Sequence, residues 1–178
     1  MATISRGVVR LVLHDPTWAD AFAEHAAAIR RRTGLPATHV QHVGSTSVED
    51  LESKPILDVA IGADGRETVE QIAAALVDHG YIDRGDQEGS AGRLLALECA
   101  PNVRTVHVHV VRHGSLHWMD YVVFRDALRS DAVLREQYVK LKRTLAEQFR
   151  LDRAACTNGK AAFIRSVVAS SGKPRRDC

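Results

Sequence analysis

No run in this 178-residue sequence approaches the ~20 apolar residues that a membrane-spanning helix needs. The segment from Met1 to Arg10 also lacks the apolar stretch of a secretory leader. A cytoplasmic location and no membrane partner are therefore expected. Cysteine is scarce: Cys99, Cys156 and Cys178 are odd in number and widely spaced. They offer neither a disulfide framework nor zinc-ligand spacing. Net charge is also small, because 24 Lys and Arg against 22 Asp and Glu leave +2. The basic residues are spread along the chain with few aromatics among them, so no nucleic-acid partner is expected. Disorder is excluded by the same near-neutrality together with an apolar fraction of 45%, since disordered chains combine low apolar content with high net charge. Repeats, low-complexity segments and dividing linkers are absent as well. The expectation is one domain over residues 1–170 and a disordered polar tail over 171–178.

What is present alternates strand and helix signals. Val8 to Leu13 reads as a strand, ended by His14-Asp15-Pro16, with Asp15 as the cap of the next helix. Trp18, Phe22, Ala26 and Ile29 recur at helical spacing before Gly34 and Pro36 stop the helix. His39 to Val43 is a short strand running into Gly44-Ser45-Thr46-Ser47. A second strand covers Pro55 to Ile61, and a helix covers Thr68 to Asp78 with Gly80 at its end. Gly85 to Gly92 reads as a mobile flap. Arg93 to Cys99 and Arg104 to Val111 form a hairpin about Pro101-Asn102. Helices follow over Trp118 to Arg129, Asp131 to Arg150 and Gly159 to Ser170, with Thr157 or Asn158 capping the last. Strands early and helices late predict an α+β fold: a mixed β-sheet packed with helices and a C-terminal helical segment.

Three constellations can carry chemistry. The first is Gly44-Ser45 at a strand end with Asp58 on the next strand. Small residues let a phosphate approach backbone N–H groups, and an acid nearby can hold a divalent metal against it. The bland alternative is a turn plus an aspartate at an exposed strand end. Asp58 interrupts an apolar run from Ile56 to Ile61, where an unpartnered carboxylate would be costly. The second is Val106-His107-Val108-His109-Val110, whose alternation puts both imidazoles on one face. They are candidates for sharing a metal or phosphate, against a merely polar strand face. The third is cationic: Lys160 at the start of the last helix, with Lys54 and Arg93 as further phosphate contacts. Lys140, Lys142 and Arg143 read as a solvated face on a helix whose core stripe is Leu134, Tyr138, Leu141, Leu145 and Phe149.

Taken together, several stretches resemble the GrpB-like family. They are His42-Val43-Gly44-Ser45-Thr46-Ser47-Val48, Lys54-Pro55-Ile56-Leu57-Asp58-Val59, Gly80-Tyr81 and His107-Val108-His109-Val110. Phe124 to Arg129, Tyr138 to Lys142 and Thr157 to Ile164 continue the series, which spans roughly residues 8–168 in the family's order. The resemblance implies a nucleotidyltransferase-type scaffold, whose pattern is a Gly-Ser turn followed by two acids flanking one apolar residue. Asp58 matches the first acid. Ala60 stands at the second, so the usual pair of metal-binding carboxylates is incomplete. Glu49-Asp50 also replaces the family's frequent Pro-Gly, adding negative charge beside the turn.

The leading expectation is a protein that binds a nucleotide or phosphometabolite and transfers a nucleotidyl group to a small molecule. Gly44, Ser45, Lys54, Arg93 and Lys160 would hold phosphates. Asp58, His107 and His109 would hold a divalent metal, Mg²⁺ or Mn²⁺, with Asp58 as the catalytic acid residue. The alternatives are a non-catalytic nucleotide- or phosphate-binding module and a metal-dependent phosphohydrolase built on the histidine pair.

Overall fold

Residues 4–5, 10–87, 92–101 and 103–171 are described by the computed structural model. Within them, β1 (Ile4–Ser5), β2 (Val40–Val43), β3 (Leu57–Ala63), β4 (Ile82–Gln87), β5 (Gly92–Ala100) and β6 (Val103–Arg112) build one sheet. The order is β2-β3-β6-β5-β4, and β1 pairs with the start of β6. The central pair, β3 and β6, is parallel, and its register sets His107 beside Asp58 and His109 beside Ala60.

Successive strand residues point to opposite faces, and that parity divides the molecule. Leu57, Val59 and Ile61 of β3 and Val106, Val108 and Val110 of β6 enter the main core. They meet helices α1 (Thr17–Thr33) and α2 (Arg66–Val77) through Trp18, Ile29, Val69 and Leu76. On the opposite face, α3 (Leu116–Ser130) lays Trp118 on Val43, Ala60 and Val111. Helices α4 (Ala132–Gln148) and α6 (Ala161–Ser170) join α3 around Phe124, Leu128, Tyr138 and Val167. A short α5 (Arg153–Asn158) sets Cys156 against Leu145. The expected mixed sheet, helical layers and C-terminal helical segment are all present.

Local signals explain most boundaries. Asp15 Oδ1 accepts the Thr17 N–H at 3.0 Å, satisfying one of the donors that a helix start leaves open. Gly34 ends α1 at φ 70. Asp131 caps α4 by accepting from the Leu134 N–H.

Three expectations change. Of the strand over residues 8–13, Val8 and Val9 lie outside the described residues, and Val12 makes only an isolated bridge to Ser53. Leu13 is 77% exposed. The supposed flap is in part strand: Gly85 to Gln87 belong to β4, where a register shift between Asp83 and Asp86 accommodates Gly85 at φ 87. Bulges of this kind disguise a strand as a loop. Residues 88–91, Asn102 of the hairpin turn and the tail at 172–178 lie outside the described residues. Finally, Thr157 and Asn158 do not cap the last helix. They sit within α5, and Lys160 is the residue preceding α6.

Candidate functional site

The expected Gly-Ser turn and acid meet face to face. Gly44 leaves β2 at φ 67 and ψ −171, and Ser45–Ser47 form one turn of 3₁₀ helix. A Cβ at position 44 would lie 2.5 Å from Asp58 Oδ2 and 2.9 Å from Asp58 Cβ. Only glycine permits that approach and that backbone.

Asp58 Oδ1 faces both imidazoles, with His107 Nδ1 at 3.2 Å and His109 Nε2 at 3.5 Å. Burial works to raise the Asp58 pKa, but hydrogen bonds and charge from His107 and His109 outweigh it. The carboxyl is held well below the usual carboxylate range. Tyr121 on α3 completes the set, its hydroxyl 3.0 Å from His109 Nδ1. With Nε2 turned to Asp58, the His109 ring presents Nδ1 to the Tyr121 hydroxyl. Tyr121 was not singled out in the sequence, where it is one aromatic among helical residues.

A second missed residue is Lys142. It does not belong to a solvated face: it is 5% exposed. Its Nζ donates to Ser45 Oγ at 3.3 Å and to the Glu52 carbonyl, and lies 4.8 Å from the Tyr138 ring centroid. Burial, and then the neighbouring charge of Lys160, bring its pKa down to about 7 against the pull of Glu52.

These groups line one cleft of about 770 Å³, within the size range of small-molecule sites. Gly44, Ser45, Lys54, Lys142 and Lys160 line it. So do Asp58, His107, His109, Tyr121 and Arg104. The structure thus brings together every expected site residue except Arg93. That side chain pairs with Asp83, with Asp86 at 3.2 Å and with Glu70 of α2 at 3.8 Å. Its register partner is Val110, which faces the α1–α2 core, so Arg93 is directed away from the histidines.

Two arginines of α3 hold the turn from behind. Arg129 Nε and Nη2 both donate to the Ser47 carbonyl, at 3.0 and 2.8 Å. Arg125 Nη1 donates to the His42 carbonyl at 3.1 Å and to Gln41 Oε1 at 2.9 Å. His42 itself stacks on Phe22 with centroids 4.6 Å apart and meets Thr46 Oγ1 at 3.1 Å. Burial pushes its pKa down to about 4, so it is a neutral spacer.

Two bridged metal ions do not fit these residues. Such a site needs several carboxylates, and Ala60 occupies the position beside His109 where the second would stand. Among the described residues no group of three or more His, Cys, Asp or Glu is disposed to hold a metal ion. Asp58, His107 and His109 do converge as expected, but as a hydrogen-bonded set in which one carboxylate oxygen faces two ring nitrogens.

A sheet with this turn and acid defines a nucleotidyltransferase-like fold, and solved structures share it. The Cid1 poly(U) polymerase aligns with TM-score 0.52 and 12% identity, over 76% of this chain and 44% of that one. The GrpB protein of Enterococcus faecalis aligns with TM-score 0.77 and 27% identity, over 91% of this chain and 96% of that one. The sequence pattern of the GrpB protein family matches residues 8–170, and the chain belongs to that family. Among its relatives, the glutamate-rich protein GrpB of Alkalihalophilus pseudofirmus is 28% identical over 94% of this chain and 98% of its own length. A dephospho-CoA kinase of Mycobacterium tuberculosis is 25% identical over 78% of this chain, which spans only 40% of that relative. Among the described residues, no helix is long and apolar enough to cross a membrane.

Proposed function

We propose that the chain binds a nucleotide or another phosphorylated metabolite, with its phosphoryl groups at the Gly44-Ser45 turn between Lys54, Lys142 and Lys160. The observation that carries this reading is Lys142. A lysine buried at 5% exposure beside a second lysine, with its Nζ on Ser45, is a cation short of countercharge. Burial first, and then the charge of Lys160, lower its pKa. An anion in the cleft supplies the missing charge and hydrogen bonds at once.

Asp58 helps orient that anion. An aspartate held ionised repels phosphoryl oxygens, so the charged end of a ligand is drawn to the lysines. No metal step is part of this reading.

Calorimetric titration with ATP, GTP, CTP, UTP and dephospho-CoA tests it. Dephospho-CoA joins the series because the mycobacterial relative is named a dephospho-CoA kinase. Binding of at least one, weakened by about tenfold or more in Lys142→Met, is the expected result; a lost charge-assisted hydrogen bond is worth roughly 1.5–3 kcal/mol. No heat from any of them, with thermal unfolding unmoved by all five, would remove the reading. Release of pyrophosphate in the presence of an added acceptor alcohol would extend it from binding to transfer.

A further inference from the structure

We propose that Ser45 and Lys142 are a nucleophile and its base, so that the cleft can form a covalent bond to the phosphorus of a phosphoanhydride ligand. The inference rests on the phosphorylated-ligand reading for its substrate alone, because the reactivity of Ser45 is measurable separately. Ser45 opens the turn after Gly44 and lines the cleft, with Lys142 beside it. Nζ lies 3.3 Å from Oγ and also meets the Glu52 carbonyl. The charged form donates to Ser45 Oγ; in the neutral form that bond reverses, with an N–H given to the Glu52 carbonyl and the lone pair accepting the Ser45 O–H. Ser45 also shares a hydrogen bond with Tyr138, whose hydroxyl burial holds well above the usual tyrosine range and therefore protonated.

The groups around Nζ come from several elements. Lys160 approaches from the start of α6, and Glu52 from the loop after the turn. On α4 itself, Tyr138 lies under the amine and Arg143 holds the Glu52 carboxylate at 2.9 Å. Lys54, Asp58 and Cys156 line the same cleft. Without an anion beside it, burial and the charge of Lys160 bring Lys142 down to about 7, so the neutral amine is accessible near that pH. Desolvation beside another cation is a known way to ready a lysine for chemistry.

The step balances within these residues and the ligand. Ser45 Oγ attacks phosphorus as Lys142 Nζ takes the hydroxyl proton. The Oγ–P bond forms, the bond from phosphorus to the bridging anhydride oxygen breaks, and the rest of the ligand leaves with that electron pair.

Diisopropyl fluorophosphate tests the pair on the full chain, with fluoride as the leaving group and the adduct read by intact mass and peptide mapping. The expected result is one adduct per chain, on Ser45. Its rate should rise about tenfold per pH unit up to about pH 7 and level off above it. Lys142→Arg, which stays charged, should slow labelling by about 100-fold or more. Lys140→Met, on the exposed side of the same helix, should label as the wild type does. No adduct at about pH 9 on folded wild-type protein, an adduct elsewhere, or a rate indifferent to pH would overturn the proposal. Nucleotide titration of the same sample separates the two claims. Binding heat without an adduct removes only the pair, and an adduct without binding heat removes only the ligand reading.

Discussion

Gly44 and Asp58 are fitted to one another: the space a side chain at 44 would fill is taken by the Asp58 carboxylate, 2.5 Å from the ideal Cβ position. The turn lies directly against the acid because residue 44 has no side chain, and its φ of 67 is a conformation other residues adopt at a cost. Gly44→Ala is therefore expected to lower stability by about 1–3 kcal/mol and to weaken ligand binding with it. Urea denaturation of both proteins measures the first effect. A variant as stable as the wild type would mean that the turn relaxes freely away from Asp58.

Asp58 and His42 give pH dependences of different origin. The folded-state pKa of Asp58 is depressed, below an unfolded value of about 3.9. The unfolded chain therefore takes up that proton first, and the stability Asp58 contributes is present above about pH 4 and lost as pH falls below it. The stability difference between wild type and Asp58→Asn should shrink across that range in denaturant titrations. A difference constant down to about pH 3 would show that the imidazoles do not stabilise the carboxylate.

For His42 the folded pKa is about 4, below an unfolded value of about 6.5. The unfolded chain binds the proton throughout that interval, so stability falls as pH drops from about 6.5 toward 4. At about 1.4 kcal/mol per unit, the loss is up to roughly 3 kcal/mol. His42→Gln should remove most of this slope in denaturation curves at a series of pH values. An unchanged slope would place the effect elsewhere.

Arg129 clasps the Ser47 carbonyl with two nitrogens, a geometry that a lysine does not reproduce. Arg129→Met is expected to destabilise by about 1.5–3 kcal/mol, and Arg129→Lys to recover less than half of that. Thermal unfolding of the three proteins decides. Full recovery by lysine would mean that charge rather than the fork holds the turn.

Metal ions test the histidine set. With Asp58 Oδ1 already facing His107 and His109, added Mn²⁺ or Mg²⁺ is expected to leave the unfolding temperature of the ligand-free protein unchanged. A rise that depends on metal concentration and disappears in Asp58→Asn would assign these three residues a metal role.

The central strands were legible because their periodicity is physical. Asp58 breaks an apolar run, and His107 and His109 alternate with valines, so parity alone places all three on one face. Parity also held the correction for Arg93. Its partner across the hairpin is Val110, one residue from His109, and a shift of one residue changes the face. Strand β4 was hidden by Asp83, Gly85 and Asp86, which read as loop residues while serving a bulge. Lys142 was mistaken for a surface charge, although it follows Tyr138 by four residues and precedes Leu145 by three, within the buried stripe of α4. Spacing marked it as inward; residue type argued otherwise. Lys54 and Lys160 were chosen for charge and neighbourhood, and both line the cleft that the turn lines. The short α5 offered no apolar period to detect, since six residues span less than two turns.

The most direct measurement is a crystal structure of the protein with a nucleotide from the titration series bound at saturation. The account predicts phosphoryl oxygens within hydrogen-bonding distance of Ser45 Oγ and Lys142 Nζ, with Lys160 or Lys54 beside them and Asp58 still turned to its two imidazoles. Phosphoryl groups seated anywhere else, with the Ser45–Lys142 contact untouched, would contradict it.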